Sequence, residues 1–171
     1  MGSIFTISIL QSALELGFIY SLVVLALFVS FSILNIADLS TDGCFTLGCA
    51  VAASVTISGH PILALFMAMG AGIISGFITA FLQTRMGVES ILAGIIVNTG
   101  LYTINIAAMG FSSNMNLFKC DSIFTLVRDF IQNHMGAGAV EILVRKGWYK
   151  LILVAVIVII VSVLLSGFLG T

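Results

Sequence analysis

The chain has 171 residues, of which 60% are hydrophobic and only 8% are charged, and its net charge is −1. Soluble domains carry about a quarter charged residues, so these few charges cannot cover a water-soluble surface. The near-neutral balance provides no basic patch for nucleic acid, which excludes that class of partner. The three cysteines and two histidines show neither metal-site spacing nor a catalytic constellation. The sequence therefore predicts a membrane protein without catalytic residues, metal ligands or a cofactor of its own.

Apolar runs divide the chain into membrane-spanning candidates. A helix needs about 20 mostly apolar residues to cross a hydrocarbon layer of about 30 Å. Runs of about this length occupy residues 17–34, extending back to residue 11, and residues 61–82, 90–109 and 151–169. Each of these runs predicts a spanning helix.

A shorter apolar run covers residues 44–57 and follows the polar stretch 35–43. Its length suits a short, broken or re-entrant membrane segment better than a simple span. This segment is the one predicted irregularity in the bundle.

Most charged side chains lie between residues 110 and 150, so that segment is expected to stay largely outside the hydrocarbon. Within it, apolar residues recur at helical spacing and predict an amphipathic surface helix that ends near residues 135–138. The predicted fold is a single all-α domain over residues 1–171, a polytopic transmembrane bundle with one short or broken segment and one surface helix. The apolar residues of the surface helix are Ile123, Phe124, Val127, Phe130 and Ile131.

The run 61–82 carries small residues at strict four-residue intervals, which include a GxxxG pair. Small side chains let another helix approach closely, and close van der Waals contact replaces the hydrophobic drive that lipid cannot supply. A helix-packing role is therefore predicted for Ala64, Ala68, Gly72, Gly76 and Ala80.

Polar residues within the apolar runs are the candidates for function. Asn98, Tyr102 and Asn105 stand at i, i+4 and i+7 and so share one helical face. That face either makes interhelical hydrogen bonds or lines a translocation path. Asp38 and Asp42 either serve as loop charges or helix caps, with Asp42 placed to cap the segment near residue 44, or couple to an ion or substrate.

The stretch Asn-Ile-Ala-Asp-Leu-Ser-Thr-Asp-Gly-Cys-Phe-Thr-Leu-Gly at residues 35–48, followed by an Ala-rich helix, resembles permease subunits of bacterial ABC importers. The similar group serves branched-chain amino acids, ribose-type sugars and nucleosides. Its Ala-Asp-Leu-Ser-x-Asp-Gly form looks like the less characterised permeases paired with periplasmic-type binding proteins, for which aromatic amino acids are one suggested cargo. Leu-Ala-Gly-Ile at 92–95 and Leu-Tyr-x-Ile-Asn at 101–105 look similar to the same group, and the resemblance covers residues 11–116.

The resemblance implies a multi-pass subunit of the cell membrane that forms part of a path for a small solute. The subunit would lie in the lipid bilayer and have three protein partners. These are an ATP-binding subunit that holds the ATP, an extracytoplasmic substrate-binding protein and a second permease chain. Family members are nearly twice as long, so this chain is expected to be the N-terminal part of a longer permease. The alternatives are an ion-coupled secondary transporter or channel, and a membrane fragment that transports nothing.

Orientation is the point on which resemblance and charge disagree. The resemblance places residue 171 in the cytoplasm and residues 110–150 outside. The positive-inside rule favours the opposite orientation, because only Arg85 supports the resemblance from the other side. We expect the orientation that the resemblance implies, although five basic residues count against it: Lys119, Arg128, Arg145, Lys146 and Lys150.

Overall fold

The structure is a computed structural model that describes residues 7–36, 38–112, 114–117, 120–134 and 148–169. Within these ranges the chain forms six helices and no strand, which confirms the predicted all-α fold. In chain order the helices are α1 (Ile7–Leu34), α2 (Thr41–Ile57), α3 (Pro61–Thr84), α4 (Ser90–Ala108), α5 (Ile123–His134) and α6 (Trp148–Leu169).

Four of the described helices are long and apolar enough to cross a membrane. They include Ile9–Ile33, Pro61–Thr84, Ser90–Ala108 and Trp148–Gly167, which correspond to the four predicted spans. At about 1.5 Å per residue, even the shortest of them reaches close to the thickness of a hydrocarbon core. The predicted multi-helix membrane bundle is therefore confirmed.

The short segment is α2, a continuous α-helix of 17 residues. It begins at Thr41, three residues before the run that the sequence marks as apolar. The polar residues 41–43 therefore belong to its first turn, and the helix is about 25 Å long. The segment is short, as predicted, but it is not broken.

Glycines end two of these helices in the same way. Gly59 after α2 and Gly110 after α4 both have positive φ, at 84° and 67°. Gly59 N–H donates to Thr56 O and His60 N–H to Val55 O, and Gly110 and Phe111 repeat this pattern at the end of α4. This arrangement is the Schellman motif, which favours glycine because an L side chain is strained at positive φ.

Residues Ala26–Ile123 form one compact unit, in which α2 packs against both α3 and α4. The centre of the unit consists of Leu47, Val97 and Leu101. Its outer surface is apolar, and Ile73 and Phe77 on α3 are 71% and 68% exposed. An apolar surface on this scale requires lipid around it, because water would not solvate it.

The second unit comprises Met1–Leu25 and Phe124–Thr171. Here Lys150 Nζ lies 6.0 Å from the centroid of the Phe124 ring, within the range of a cation–π interaction. A helix, α5, is present where the surface helix was predicted, and Arg128 pairs with Asp129 there through exposed side chains. Its position along the membrane surface stays a prediction. The predicted end of this helix at residues 135–138 lies outside the described residues, as do Lys119, Arg145 and Lys146.

Candidate functional site

A polar cleft of about 430 Å³ opens between α2 and α4. It contains four of the five polar residues that the sequence singles out for a substrate path. The lining residues are Asp42, Gly43 and Thr46 from α2, and Asn98, Thr99, Tyr102 and Asn105 from α4.

Helical spacing explains how these side chains meet. Asp42 and Thr46 are four residues apart on α2, and Asn98, Tyr102 and Asn105 follow the i, i+4, i+7 pattern on α4. Residues at these intervals share one face of a helix, so each helix presents one polar stripe to the cleft. Thr46 and Thr99 were not singled out from the sequence, although each lies on or beside a stripe that was.

A close approach of the two helices forms the floor of this region. Gly43 is buried, and a Cβ added there would overlap Asn98 Oδ1 and lie 3.3 Å from Asn98 Cα. Only glycine therefore allows α2 to lie this close to α4. The signal in the sequence is the Asp-Gly pair at 42–43, which belongs to the motif that resembles ABC permeases but does not by itself predict this contact.

Asn105 is the buried end of the cleft, with only 6% of its surface exposed. Its Oδ1 is fully buried and has no hydrogen-bond donor among the described residues. A buried polar atom without a partner costs free energy, so native proteins retain such atoms rarely. Tyr102, by contrast, is 68% exposed and therefore lies at the mouth of the cleft.

The two threonine hydroxyls in the cleft donate their hydrogens to their own helices. Thr46 Oγ1 donates to Asp42 O at 2.9 Å, and Thr99 Oγ1 donates to Ile95 O at 2.8 Å. Each hydroxyl oxygen therefore has only acceptor capacity left for the cleft. Asp42 is exposed and adds a carboxylate, so hydrogen-bond acceptors predominate in the lining.

Asp42 lies in the first turn of α2 and not at its N-cap. The sequence suggested a capping role because the apolar run starts near residue 44, but the helix begins earlier and Ser40 occupies the cap position. Asp42 is therefore free of the capping geometry, and its carboxylate lines the cleft.

Asp38, the fifth predicted path residue, does not line the cleft. Its Oδ1 accepts hydrogen bonds from Ser40 N at 2.8 Å and from Ser40 Oγ at 2.6 Å. Ser40 Oγ in turn accepts a hydrogen bond from Thr79 Oγ1 on α3 at 3.0 Å. These contacts tie the start of α2 to α3, which gives Asp38 a structural position beside the site.

The predicted small-residue stripe on α3 divides along its length. Ala64 is buried and Ala68 and Gly72 are half-buried, whereas Gly76 and Ala80 are exposed. Towards the end of α3 the buried positions are instead Ser75 and Thr79. Packing of Gly76 and Ala80 against another helix stays a prediction.

Comparison with known proteins gives two similar curated relatives. A tyrosine transport system permease protein of Clostridioides difficile (strain R20291) is 33% identical over 114 residues, 66% of this chain and 38% of the relative. The uncharacterized protein RP368 of Rickettsia prowazekii (strain Madrid E) is 39% identical over 102 residues, 60% of this chain and 36% of the relative. The matched part thus spans little more than a third of the length of these relatives, and no solved structure matches the chain.

The family match is more extensive. Residues 9–171 match the family described as the permease component of branched-chain amino acid transport systems. This range includes the described spanning helices and both walls of the cleft. The chain therefore belongs to this permease family and is a multi-pass protein of the cell membrane.

Proposed function

We propose that this chain forms part of a membrane permease that moves a small solute across the cell membrane, with the cleft between α2 and α4 as part of its path. The observation that carries the proposal is the polar cleft itself. Asp42, Asn98, Tyr102 and Asn105 converge on one space between helices whose other faces are apolar. Polar side chains at membrane depth are costly, and they commonly mark substrate pathways.

The proposed cargo is an amino acid, and the tyrosine transport permease among the relatives makes an aromatic amino acid the first to test. A volume of about 430 Å³ falls within the range of about 300–1,000 Å³ that small-molecule sites occupy. Tyr102 offers an exposed ring at the mouth, on which an aromatic solute can stack.

Membership of the family also suggests the partners of this chain. An ATP-binding subunit would supply the energy from ATP, an extracytoplasmic substrate-binding protein would deliver the solute, and a second permease chain would complete the path. Alternating access would then expose the cleft to each side of the membrane in turn.

An ion-coupled transporter is the second candidate, and the exposed Asp42 carboxylate in the cleft is the observation that favours it. The two candidates differ in their energy source. Uptake that stops on ATP depletion while the ion gradients are held supports the importer, whereas uptake that persists supports ion coupling.

The test is uptake of radiolabelled tyrosine in cells whose native gene carries Tyr102→Phe. This change removes one hydroxyl from a cleft-lining residue that is 68% exposed, and it keeps the aromatic ring. The loss of one hydrogen bond to the solute, about 1 kcal/mol, should lower uptake about fivefold at limiting tyrosine.

The matched control is Thr103→Val, which removes an exposed hydroxyl from the neighbouring position outside the cleft. Uptake in the control should equal that of the unmodified cells. Equal uptake in the Tyr102→Phe cells, at matched protein levels, would exclude a contact between this hydroxyl and the solute.

A further inference from the structure

The chemistry of the cleft is asymmetric in a way that bears on what it binds. Its described lining contains one carboxylate and no Lys, Arg or His side chain. The hydroxyl hydrogens of Thr46 and Thr99 are held by backbone carbonyls of their own helices. The side-chain donors left in the lining are the amide N–H groups of Asn98 and Asn105 and the Tyr102 hydroxyl. The acceptors outnumber them and include one negative charge.

The unpartnered Asn105 Oδ1 is an independent second observation. The Asn105 side chain is 94% buried and lines the cleft, yet this acceptor receives no hydrogen bond from any described residue. Because this atom has almost no exposed surface, a donor in the cleft reaches it when the Asn105 side chain turns towards the cleft. Like the Asp42 carboxylate, this atom binds a hydrogen-bond donor.

We infer that the cleft binds the ammonium end of its solute, with Asp42 as the counter-charge and Asn105 as a buried acceptor. An ammonium group carries three N–H donors and one positive charge, and it has no acceptor of its own. It matches an acceptor-rich, negatively charged lining. The inference rests on the proposed function only for the choice of an aromatic amine as probe.

The cleft is less suited to a bare metal cation than to an ammonium group. No group of three His, Cys, Asp or Glu side chains that would hold a metal occurs in the described part of the chain. The volume of about 430 Å³ is also that of a small-molecule pocket and far exceeds the shell of oxygen ligands around a single ion. The experiment separates the two cations directly.

Cleft occupancy can be read by alkylation of a cysteine placed in the lining, without any transport step. The reporter is Thr99→Cys in a chain whose own cysteines, Cys44, Cys49 and Cys120, are changed to Ala. The control is Thr103→Cys in the same background. Thr103 is four residues after Thr99 on α4 and is not among the residues that line the cleft. Membranes containing either variant are treated with N-ethylmaleimide in the presence of each probe.

Two probes share one phenol ring and differ in charge. Tyramine has the ammonium group without a carboxylate, and 3-(4-hydroxyphenyl)propionate has the carboxylate without an amine. Tyramine should slow alkylation of Thr99→Cys at least about threefold, while the propionate and sodium chloride at equal concentration should leave the rate unchanged. Alkylation of Thr103→Cys should not respond to any probe.

Charge variants of Asp42 then assign the effect. Asp42→Asn should raise the tyramine concentration needed for half-protection about 1.5-fold to fivefold, the range for a solvent-accessible ion pair. Asp42→Lys should exchange the preference, so that the propionate protects and tyramine does not. Both changes are at an exposed position, and equal melting temperatures of the variants and their parent in detergent show that the fold is retained.

The inference is overturned if the propionate protects as well as tyramine, if sodium protects instead, or if no probe protects. It is also overturned if both Asp42 variants keep the tyramine effect. These outcomes concern binding alone and leave the uptake result open. Absent uptake with intact tyramine protection would instead reject the transport proposal and retain the site.

Discussion

Gly94 lies where α4 passes closest to the turn before α2. A Cβ at this position would be 2.9 Å from Leu39 N and 3.2 Å from Leu39 Cα. These are backbone atoms, which cannot rotate away as a side chain can. The close approach holds the α1–α2 connection against α4, next to the residues that shape the cleft.

Gly94→Ala should therefore destabilise the protein, and Gly100→Ala provides the control. Gly100 is in the same helix, and a Cβ there meets no atom within 4 Å. Both changes bring the same gain in helix propensity, so their difference isolates the overpacking, which costs about 1–3 kcal/mol. The measurement is thermal unfolding in detergent, and equal melting temperatures for the two variants would contradict the close contact.

The polar residues of α4 were predictable because amides are rare in apolar helices and their spacing is visible in the sequence. The sequence could place Asn98, Tyr102 and Asn105 on one face, but it could not tell that Asp42 would lie opposite them. It also could not separate Asp42 from Asp38, since their roles differ through the hydrogen bonds of Ser40. Those contacts depend on where α2 begins and on its neighbour α3.

Among the elements, α3 shows what a sequence period does and does not fix. A helix turns about 100° per residue, so each step of four residues advances about 40° beyond a full turn. Over the four steps from Ala64 to Ala80 the stripe rotates by about 160° and leaves the face that meets α2. The packed face continues through Ser75 and Thr79, which follow the period of the helix more closely.

The hydrogen bond between Thr79 Oγ1 and Ser40 Oγ links α3 to the N-terminus of α2 inside the protein, where both residues are buried. Thr79→Val keeps the shape and removes the donor, whose second acceptor is Ser75 O of its own helix at 3.2 Å. It should lower the free energy of unfolding by about 0.5–1.5 kcal/mol, the usual range for one hydrogen bond.

Thr84→Val is the control for Thr79→Val, because Thr84 is exposed on the same helix and its hydroxyl donates within that helix, to Ala80 O at 2.7 Å. Denaturation of both variants in the same detergent measures the difference. If the two variants unfold alike, the buried bond contributes nothing to the stability of the α2–α3 contact.

At the scale of the whole molecule, composition predicted the class of fold and the number of long helices, because hydropathy alone decides which segments tolerate lipid. The boundaries moved where polar residues join a helix. α2 includes the polar residues 41–43, and α1 begins at Ile7, four residues before the earliest predicted start at residue 11. Within α1, Gln11 Nε2 donates to Glu15 Oε1 at 3.0 Å one turn further on. Such local pairs satisfy polar side chains within a helix that is otherwise apolar.

The orientation of the chain in the membrane is the expectation on which the family resemblance and the charge distribution disagree. Arg85 follows α3, and Asp121 precedes α5; both are exposed. If α4, between them, crosses the membrane once, these two positions lie on opposite sides. The resemblance to ABC permeases places Arg85 in the cytoplasm and Asp121 outside, whereas the distribution of basic residues favours the reverse.

Single cysteines at these two positions decide between the orientations. In the background without native cysteines, a membrane-impermeant maleimide added to intact spheroplasts should label Asp121→Cys and spare Arg85→Cys until the cells are opened. The reverse pattern would establish the orientation that the charges favour. The Asp42 end of the cleft would then face the opposite side of the membrane from the one that the resemblance implies. Labelling of both positions from outside would show that α4 does not span the membrane, which would remove the membrane-depth argument on which the proposed path depends.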